Sequence, residues 1–137
     1  MNIFDIVGPV MVGPSSSHTA GAVRIGFVSR KLLGEPVKSV QLLLYGSFLA
    51  TGKGHGTDRA LVAGLLGMLP DDERVPFAFE EAKNAGMEFE FGEANLKEAH
   101  PNSVVLKMVG ESGRALEVIA ASLGGGRMKI CKIDGME

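Results

Sequence analysis

The last quarter of the chain decides the fold: residues 102–133 read NSVVLKMVGESGRALEVIAASLGGGRMKICKI. Three β-rich runs follow one another here with only short turns between them: Asn102–Val109, Ala115–Ser122 and Met128–Ile133. The turn residues 110–113 (GESG) predict a hairpin between the first two runs. Because no helix separates these strands, they favour antiparallel pairing over a doubly wound parallel sheet.

Outward from this stretch, helical and strand patterns alternate. Two further strands are predicted at Val37–Tyr45 and Met87–Phe91. Helical patterns cover Ala20–Leu33, Arg59–Leu69, Phe77–Ala85 and, too short to be secure, Phe4–Val7. Thr57 and Asp58 are predicted to cap the helix that begins at Arg59. With helices early and strands late, we expect an α+β fold: a two-layer sandwich whose mixed or antiparallel sheet is covered by helices.

Length and composition place the chain among globular proteins of one domain. It has 137 residues, of which 45% are hydrophobic and 22% charged, and we expect a single domain over residues 1–137. A net charge of −2 argues against a nucleic-acid partner. We find neither a targeting signal nor an unbroken apolar stretch of membrane-spanning length, so we expect a cytoplasmic protein without a membrane partner. Cys131 is the single cysteine of the sequence, which excludes an iron–sulfur or zinc site held by several cysteines of this chain alone.

The first motif whose side chains could bind or react with a ligand is Gly13–Gly21, which reads GPSSSHTAG. Its polar side chains are those of Ser15, Ser16, Ser17, His18 and Thr19. Hydroxyls, unpaired N–H groups and the positive end of a helix dipole form a site suited to a carboxylate or a phosphate. Capping by one serine is the simpler interpretation, but a cap needs only one hydroxyl.

The second motif is Gly52–Asp58, which reads GKGHGTD and lies between a predicted strand and a predicted helix. Its spacing fits neither the P-loop nor the dinucleotide-binding G-x-G-x-x-G pattern. What remains is a glycine loop that presents Lys53, His55 and Asp58 side by side. His55 is the candidate general base, and Asp58 is its orienting partner or a helix cap. A plain glycine turn with a capping aspartate is the competing interpretation.

Two weaker motifs are His100–Ser103 (HPNS) before a strand and Ser122–Gly126 (SLGGG) after one. Either could be only a turn, although three glycines after a strand indicate that a ligand or a partner backbone comes close. The three histidines of the sequence all lie in such polar loops, which favours one common site because histidine titrates near neutral pH. These motifs predict a small-anion site, but they do not identify a reaction.

At these motifs the chain resembles the β subunit, or β domain, of the bacterial iron–sulfur-dependent L-serine dehydratases. The matching stretches are FDIVGPVMVGPSSSHTAG, LYGSFLATGKGHGTD, HPNSV and SLGGG, in the family's order from Phe4 to Gly126. The last departs from the family's SIGGG by a leucine in place of isoleucine. The resemblance implies that L-serine is converted to pyruvate and ammonia with a [4Fe–4S] cluster held by a separate α subunit or domain. Many family members continue into a small regulatory domain beyond the position of Glu137.

The motifs and the resemblance together give the candidate site. His55 is the leading catalytic candidate and His18 the second. The substrate-binding candidates are Ser15, Ser16, Ser17, Thr19, Lys53, Asp58, His100, Asn102, Ser122 and Gly124. No residue of this chain is expected to bind a metal. The implied partners are the α subunit and L-serine, and we expect the lone chain to form a symmetric dimer.

A second function stays open. A related domain in some phosphoglycerate dehydrogenases resembles a regulatory anion site, which implies a binding module rather than half of an active site. Such a module needs positive groups such as Lys53 and Arg24, but it has little use for His55. Catalysis, in contrast, needs a group that accepts a proton.

Overall fold

The computed structural model describes residues 16–46, 56–95, 102–124 and 127–134. Within these ranges lie three α-helices: α1 (Ser16–Leu33), α2 (Thr57–Leu65) and α3 (Ala78–Ala85). The five strands are β1 (Val37–Leu44), β2 (Glu88–Glu93), β3 (Ser103–Gly110), β4 (Ala115–Gly124) and β5 (Arg127–Ile133). A short 3₁₀ helix, Val75–Phe77, leads into α3. None of the helices in the described ranges is both long enough and apolar enough to cross a membrane.

The strands form one sheet in the order β2-β1-β3-β4-β5. β1 pairs with β2 in parallel, and the other three pairs are antiparallel. The parallel pair is joined through α2 and α3, whereas β3, β4 and β5 follow one another as hairpins. The predicted α+β class with a mixed sheet is therefore confirmed, and the doubly wound alternative is wrong.

The core lies between the sheet and a single layer of helices. Every second residue of the central strands faces this layer, as Val40 and Leu42 do on β1 and Leu106 does on β3, and all three are buried. α1 packs on β3, β4 and β5. At the β2 edge of the sheet, on this same face, Phe79 of α3 stacks on Phe89 of β2 with ring centroids 4.9 Å apart. These contacts make the two-layer sandwich that the sequence predicts.

α1 and α2 approach each other backbone to backbone at Gly26 and Gly64. A Cβ atom on Gly26 would lie 2.7 Å from the Leu65 nitrogen, and one on Gly64 would lie 2.7 Å from the Phe27 nitrogen. Glycine inside a helix costs about 1 kcal/mol relative to alanine, so its presence at this crossing reflects the need for space.

The strands differ from the predicted runs by two residues at most at either end. The helices differ more. α1 begins at Ser16 rather than Ala20, so Ser16 and Ser17 belong to the helix and do not precede it. α3 begins one residue later than predicted and ends before Gly86, whose φ of 79° is the left-handed conformation typical of a helix end. The short helix predicted at Phe4–Val7 lies outside the described residues.

The predicted start and end of α2 are both wrong. Its N-cap is Gly56, with φ at 89° and no side-chain capping bond, while Thr57 and Asp58 lie inside the helix. A left-handed N-cap suits glycine, and it leaves no side chain to cap with. α2 also ends at Leu65 rather than Leu69, because Gly67 turns the chain with φ at 95°.

Candidate functional site

One edge of the sheet gathers the described parts of the sequence motifs. β1, β2 and β4 end at this edge, and β3 and β5 begin there. The Tyr45 N–H donates to the carbonyl oxygen of Ser103 at 3.1 Å, and the Ser122 N–H donates to that of Asn102 at 3.0 Å. The strand order therefore brings Asn102, Ser122 and Gly124 together, although they belong to two separate motifs.

The beginning of α1 lies on this same edge. A Cβ atom on Gly21 would collide with the hydroxyl oxygen of Ser122 and would lie 3.2 Å from the carbonyl oxygen of Arg127. The second turn of α1 thus rests directly on the end of β4 and the start of β5. Because Ser17 precedes Gly21 by four residues, it lies one turn earlier on the same side of the helix.

The charge distribution along α1 favours an anion at its start. Its first turn contains no acidic residue, and its last turn contains Arg30 and Lys31. The first N–H groups of a helix have no partner within the helix, and the helix dipole adds positive potential there. The start of α1 therefore has the electrostatics of a carboxylate or phosphate site.

Ser122 is the most unusual polar residue at this edge. Its side chain faces α1 and is fully buried, and its hydroxyl has no hydrogen-bond partner among the described residues. An unsatisfied buried hydroxyl costs about 1–3 kcal/mol. A residue kept at such a cost needs a reason other than stability.

The described contacts of Asp58, at the start of α2, are with Arg59. Its carboxylate accepts a hydrogen bond from the backbone N–H of Arg59 at 2.8 Å and lies 3.9 Å from the Arg59 guanidinium. That guanidinium in turn stacks over the ring of Phe79, 5.0 Å from its centroid. The described contacts of Asp58 thus go to its own helix, and no described hydrogen bond joins it to Asn102 or Ser122.

The remaining candidates cannot be placed as side chains. Ser15, Lys53, His55 and His100 lie outside the described residues, and for Ser16, Ser17, His18 and Thr19 only the helical backbone is described. His55 immediately precedes Gly56, whose left-handed φ of 89° turns the chain into α2.

The donor atoms of this chain do not fit an iron–sulfur cluster. Such a cluster is held by several cysteine thiolates, and the sequence contains one cysteine. Cys131 lies half-buried in β5. Within the described ranges, no three His, Cys, Asp or Glu side chains are grouped so that they could hold a metal ion.

The sequence patterns did not single out Gly21 as a contact residue of the site. A signal for it exists, because glycine inside a helical pattern costs about 1 kcal/mol and is retained where another backbone or side chain comes close. The partner of that contact, Ser122, is 101 residues away in the chain and could not be found from spacing.

Comparisons with known proteins identify the family of this chain. Residues 2–87 match the family model described as serine dehydratase beta chain. The chain belongs to this family. It is 49% identical over 134 residues to the L-serine dehydratase beta chain of Peptoniphilus asaccharolyticus, covering 97% of this chain and 60% of that protein. The probable L-serine dehydratase beta chain of Bacillus subtilis is 45% identical over 136 residues, covering 99% and 61%.

A third relative is a longer protein. L-serine dehydratase 2 of Escherichia coli is 38% identical over 95 residues, which cover 63% of this chain but 20% of that protein. The chain thus spans about 60% of the length of the two beta chains named above and a much smaller part of the E. coli protein.

Proposed function

We propose that this chain is the beta component of an L-serine dehydratase and forms the substrate-binding side of its active site. Membership of the serine dehydratase beta chain family supports this function. The observation that carries it is the contact between Gly21 and Ser122, since it joins the start of α1 to the edge of the sheet where Asn102 and Gly124 lie. In the reaction, L-serine loses its α proton and its hydroxyl as water, and the aminoacrylate product hydrolyses to pyruvate and ammonia.

The carboxylate of L-serine binds at the start of α1. The helix dipole and the unpaired N–H groups supply positive potential, and the hydroxyls of Ser15, Ser16, Ser17 and Thr19 supply hydrogen-bond donors. The absence of an acidic residue from the first turn of α1 supports this placement.

The other binding candidates surround this position. Asn102 and Gly124 belong to the same sheet edge. Lys53 lies in the segment between β1 and α2, and His100 lies two residues before Asn102. We also keep Asp58 in the proposed site, through its position at the start of α2 next to Gly56. Ser122 supports the start of α1, since its side chain is fully buried against that helix.

His55 accepts the α proton of the substrate. The α carbon of an ammonium acid is a weak acid, so its base must be close, oriented and shielded from water. A glycine on either side allows the backbone to bring His55 against a small substrate, and the left-handed Gly56 supports this role. His18 is the second candidate, because its position at a helix start suits carboxylate binding better than proton removal.

A partner chain completes the site. We assign the iron–sulfur cluster that the family resemblance implies to an α subunit, because one cysteine cannot hold it. The E. coli relative supports this division, since the matching stretch covers 20% of a protein named L-serine dehydratase 2. We expect the glycine stretches around residues 52–56 and 124–126 to face that partner, because shared sites lie where chains meet.

A regulatory binding module is the second candidate function. It is favoured by the make-up of the described part of the site, where the start of α1 lies on the end of β4 and the Ser122 N–H donates to the carbonyl oxygen of Asn102. A helix start attracts an anion, but it offers no group that accepts the α proton. The two functions differ in the role of His55, which only the catalytic function requires.

Reconstitution with the α subunit tests the proposed function. The lone chain, purified without oxygen, is expected to produce no pyruvate from L-serine, and addition of the α subunit is expected to restore turnover. Pyruvate formation is followed by a coupled assay, and sedimentation compares the lone chain, expected to be a symmetric dimer, with the complex. Turnover by the lone chain, or an α subunit that does not bind this chain, would contradict the function.

A further inference from the structure

Gly21 and Ser122 meet so closely that a side chain on Gly21 would have to displace Ser122 or move α1. An ideal Cβ on Gly21 would collide with the Ser122 hydroxyl, and it would lie 3.2 Å from the Ser122 Cβ and from the Arg127 carbonyl oxygen. Three groups of the β4–β5 hairpin thus surround one helix position. Such close packing fixes the distance between α1 and the sheet at this point.

We propose that Gly21 and Ser122 are a positioning pair, and that their combined size sets the distance between the start of α1 and the end of β4. Ser122 acts on the ligand through α1, by its volume, and not by donating a hydrogen bond to the substrate. This inference rests on the proposed function, because the ligand it concerns is the L-serine assigned to the start of α1.

The burial of Ser122 supports a role through volume. Its side chain is fully buried, and its hydroxyl lies against the second turn of α1 at Gly21. The free N–H groups that attract an anion belong to the first turn. A hydroxyl that bonds to substrate has to be reachable from the site, whereas one that sets a packing distance does not.

The depth of α1 matters because Ser17 precedes Gly21 by one turn on the same side of the helix. Adding a methyl group at Gly21 or at Ser122 lifts this end of the helix away from Asn102 and Gly124. A misplacement of about 1 Å between binding groups can cost about 10²-fold in the rate of the reaction. Substitutions at Gly21 or Ser122 are therefore expected to change the kinetic constants for L-serine and not only the stability of the fold.

Substitutions at Ser122 separate volume from hydrogen bonding in the enzyme reconstituted with its α subunit. Ser122→Thr keeps the hydroxyl but adds a methyl group, and it is expected to raise the KM for L-serine about 10-fold or more. Ser122→Ala loses the hydroxyl but keeps the Cβ, and it is expected to change KM less than Ser122→Thr does. The opposite order would overturn the inference in favour of a direct hydrogen bond.

Rescue gives the second measurement. Gly21→Ala is expected to raise the KM for L-serine as Ser122→Thr does. In the double variant, Ser122→Gly makes room for the new methyl group, and the KM is expected to fall again. Leu33→Ala is the control, because it removes a fully buried side chain from the far end of the same helix. It is expected to lower the melting temperature without raising KM, which separates loss of stability from loss of positioning.

The outcomes distinguish this inference from the proposed function. If the reconstituted wild type forms no pyruvate from L-serine, the proposed function fails, and the inference fails with it. If the wild type is active and Gly21→Ala folds with an unchanged KM, only the positioning pair is wrong. If Gly21→Ala does not fold, Ser122→Thr and Ser122→Ala decide the question by their order.

Discussion

The two ends of α1 are built in opposite ways. At its start, the helix rests on Ser122, whose buried hydroxyl has no hydrogen-bond partner among the described residues. Beyond its end, the carboxylate of Glu35 accepts hydrogen bonds from both the N–H and the hydroxyl of Ser112, each at 2.6 Å. The Glu111 N–H also donates to the carbonyl oxygen of Pro36 at 3.1 Å. Glu35 and Ser112 beyond the end of the helix are hydrogen-bonded to each other, whereas the buried hydroxyl against which its start packs has no described partner, as is also true of Ser29 within the helix.

Two glycines of α1 and its following turn show the same contrast. Gly34 has a φ of 85°, so it is required by backbone conformation, as is usual where a helix ends. Gly21 lies inside the helix and is required because Ser122 leaves no room for a side chain. The glycine at the far end of α1 is explained by the local backbone conformation, whereas the glycine near its start is explained by a tertiary contact with Ser122.

The largest effect on catalysis is expected from His55. His55→Asn in the reconstituted enzyme is expected to lower turnover about 10²–10⁴-fold, the usual contribution of a general base, with a smaller change in serine binding. The measurement is kcat and KM for L-serine, with His18→Ala compared under the same conditions.

The comparison of the two histidine variants decides whether this chain supplies the general base and, if so, which histidine it is. Turnover within a few-fold of the wild type for His55→Asn, together with its loss in His18→Ala, would move the base to His18. If both variants stay active, this chain positions the substrate and the partner carries the base. The start of α1 would then be a binding surface alone.

A smaller effect is expected from the serine run. Ser16→Ala and Ser17→Ala each remove a hydroxyl from the proposed carboxylate site, and a hydrogen bond to a charged group contributes about 1.5–3 kcal/mol. KM for L-serine is therefore expected to rise more than kcat falls. Ser39→Ala, on β1, is the matched control and should leave both constants unchanged. An unchanged KM in both serine variants would remove this motif from the site.

Much of the fold could be predicted because its strands carry their own signals. The hairpin at residues 110–113 was predicted from a glycine-rich turn between two β-rich runs, and β3 and β4 are paired as expected. Alternation also predicted β2, whose Phe89 and Phe91 face α3. These patterns repeat within a few residues, so they can be recognised without knowledge of the tertiary structure.

The helix boundaries and the site contact could not be predicted in this way. Thr57 and Asp58 have the composition of a cap, but the left-handed Gly56 takes the capping position and carries them into α2. Asp58 then bonds to Arg59 within its own helix. The contact between Gly21 and Ser122 depends on how β4 and α1 pack, which no local pattern encodes.

The smallest effect is expected at the satisfied end of α1. The hydroxyl and the N–H of Ser112 hold the pKa of Glu35 below its ordinary value of 4.5. Since the folded protein favours the ionised carboxylate, the contact stabilises the fold above the unfolded pKa, and this contribution is lost as the pH falls through the folded pKa. Glu35→Gln is therefore expected to lower the melting temperature slightly at pH 7 and less at acidic pH.

Thermal unfolding of the wild type and of Glu35→Gln between pH 3 and pH 7 measures this difference. Glu73→Gln, at an exposed glutamate, is the control and should show no such trend. In the reconstituted enzyme, Glu35→Gln should leave the KM for L-serine unchanged, because Glu35 contacts the hairpin at Ser112 and not the start of α1. A melting-temperature difference that grows as the pH falls would contradict this account of Glu35. A raised KM would show that the two ends of α1 are coupled, so that the end of the helix also sets the position of the serine run.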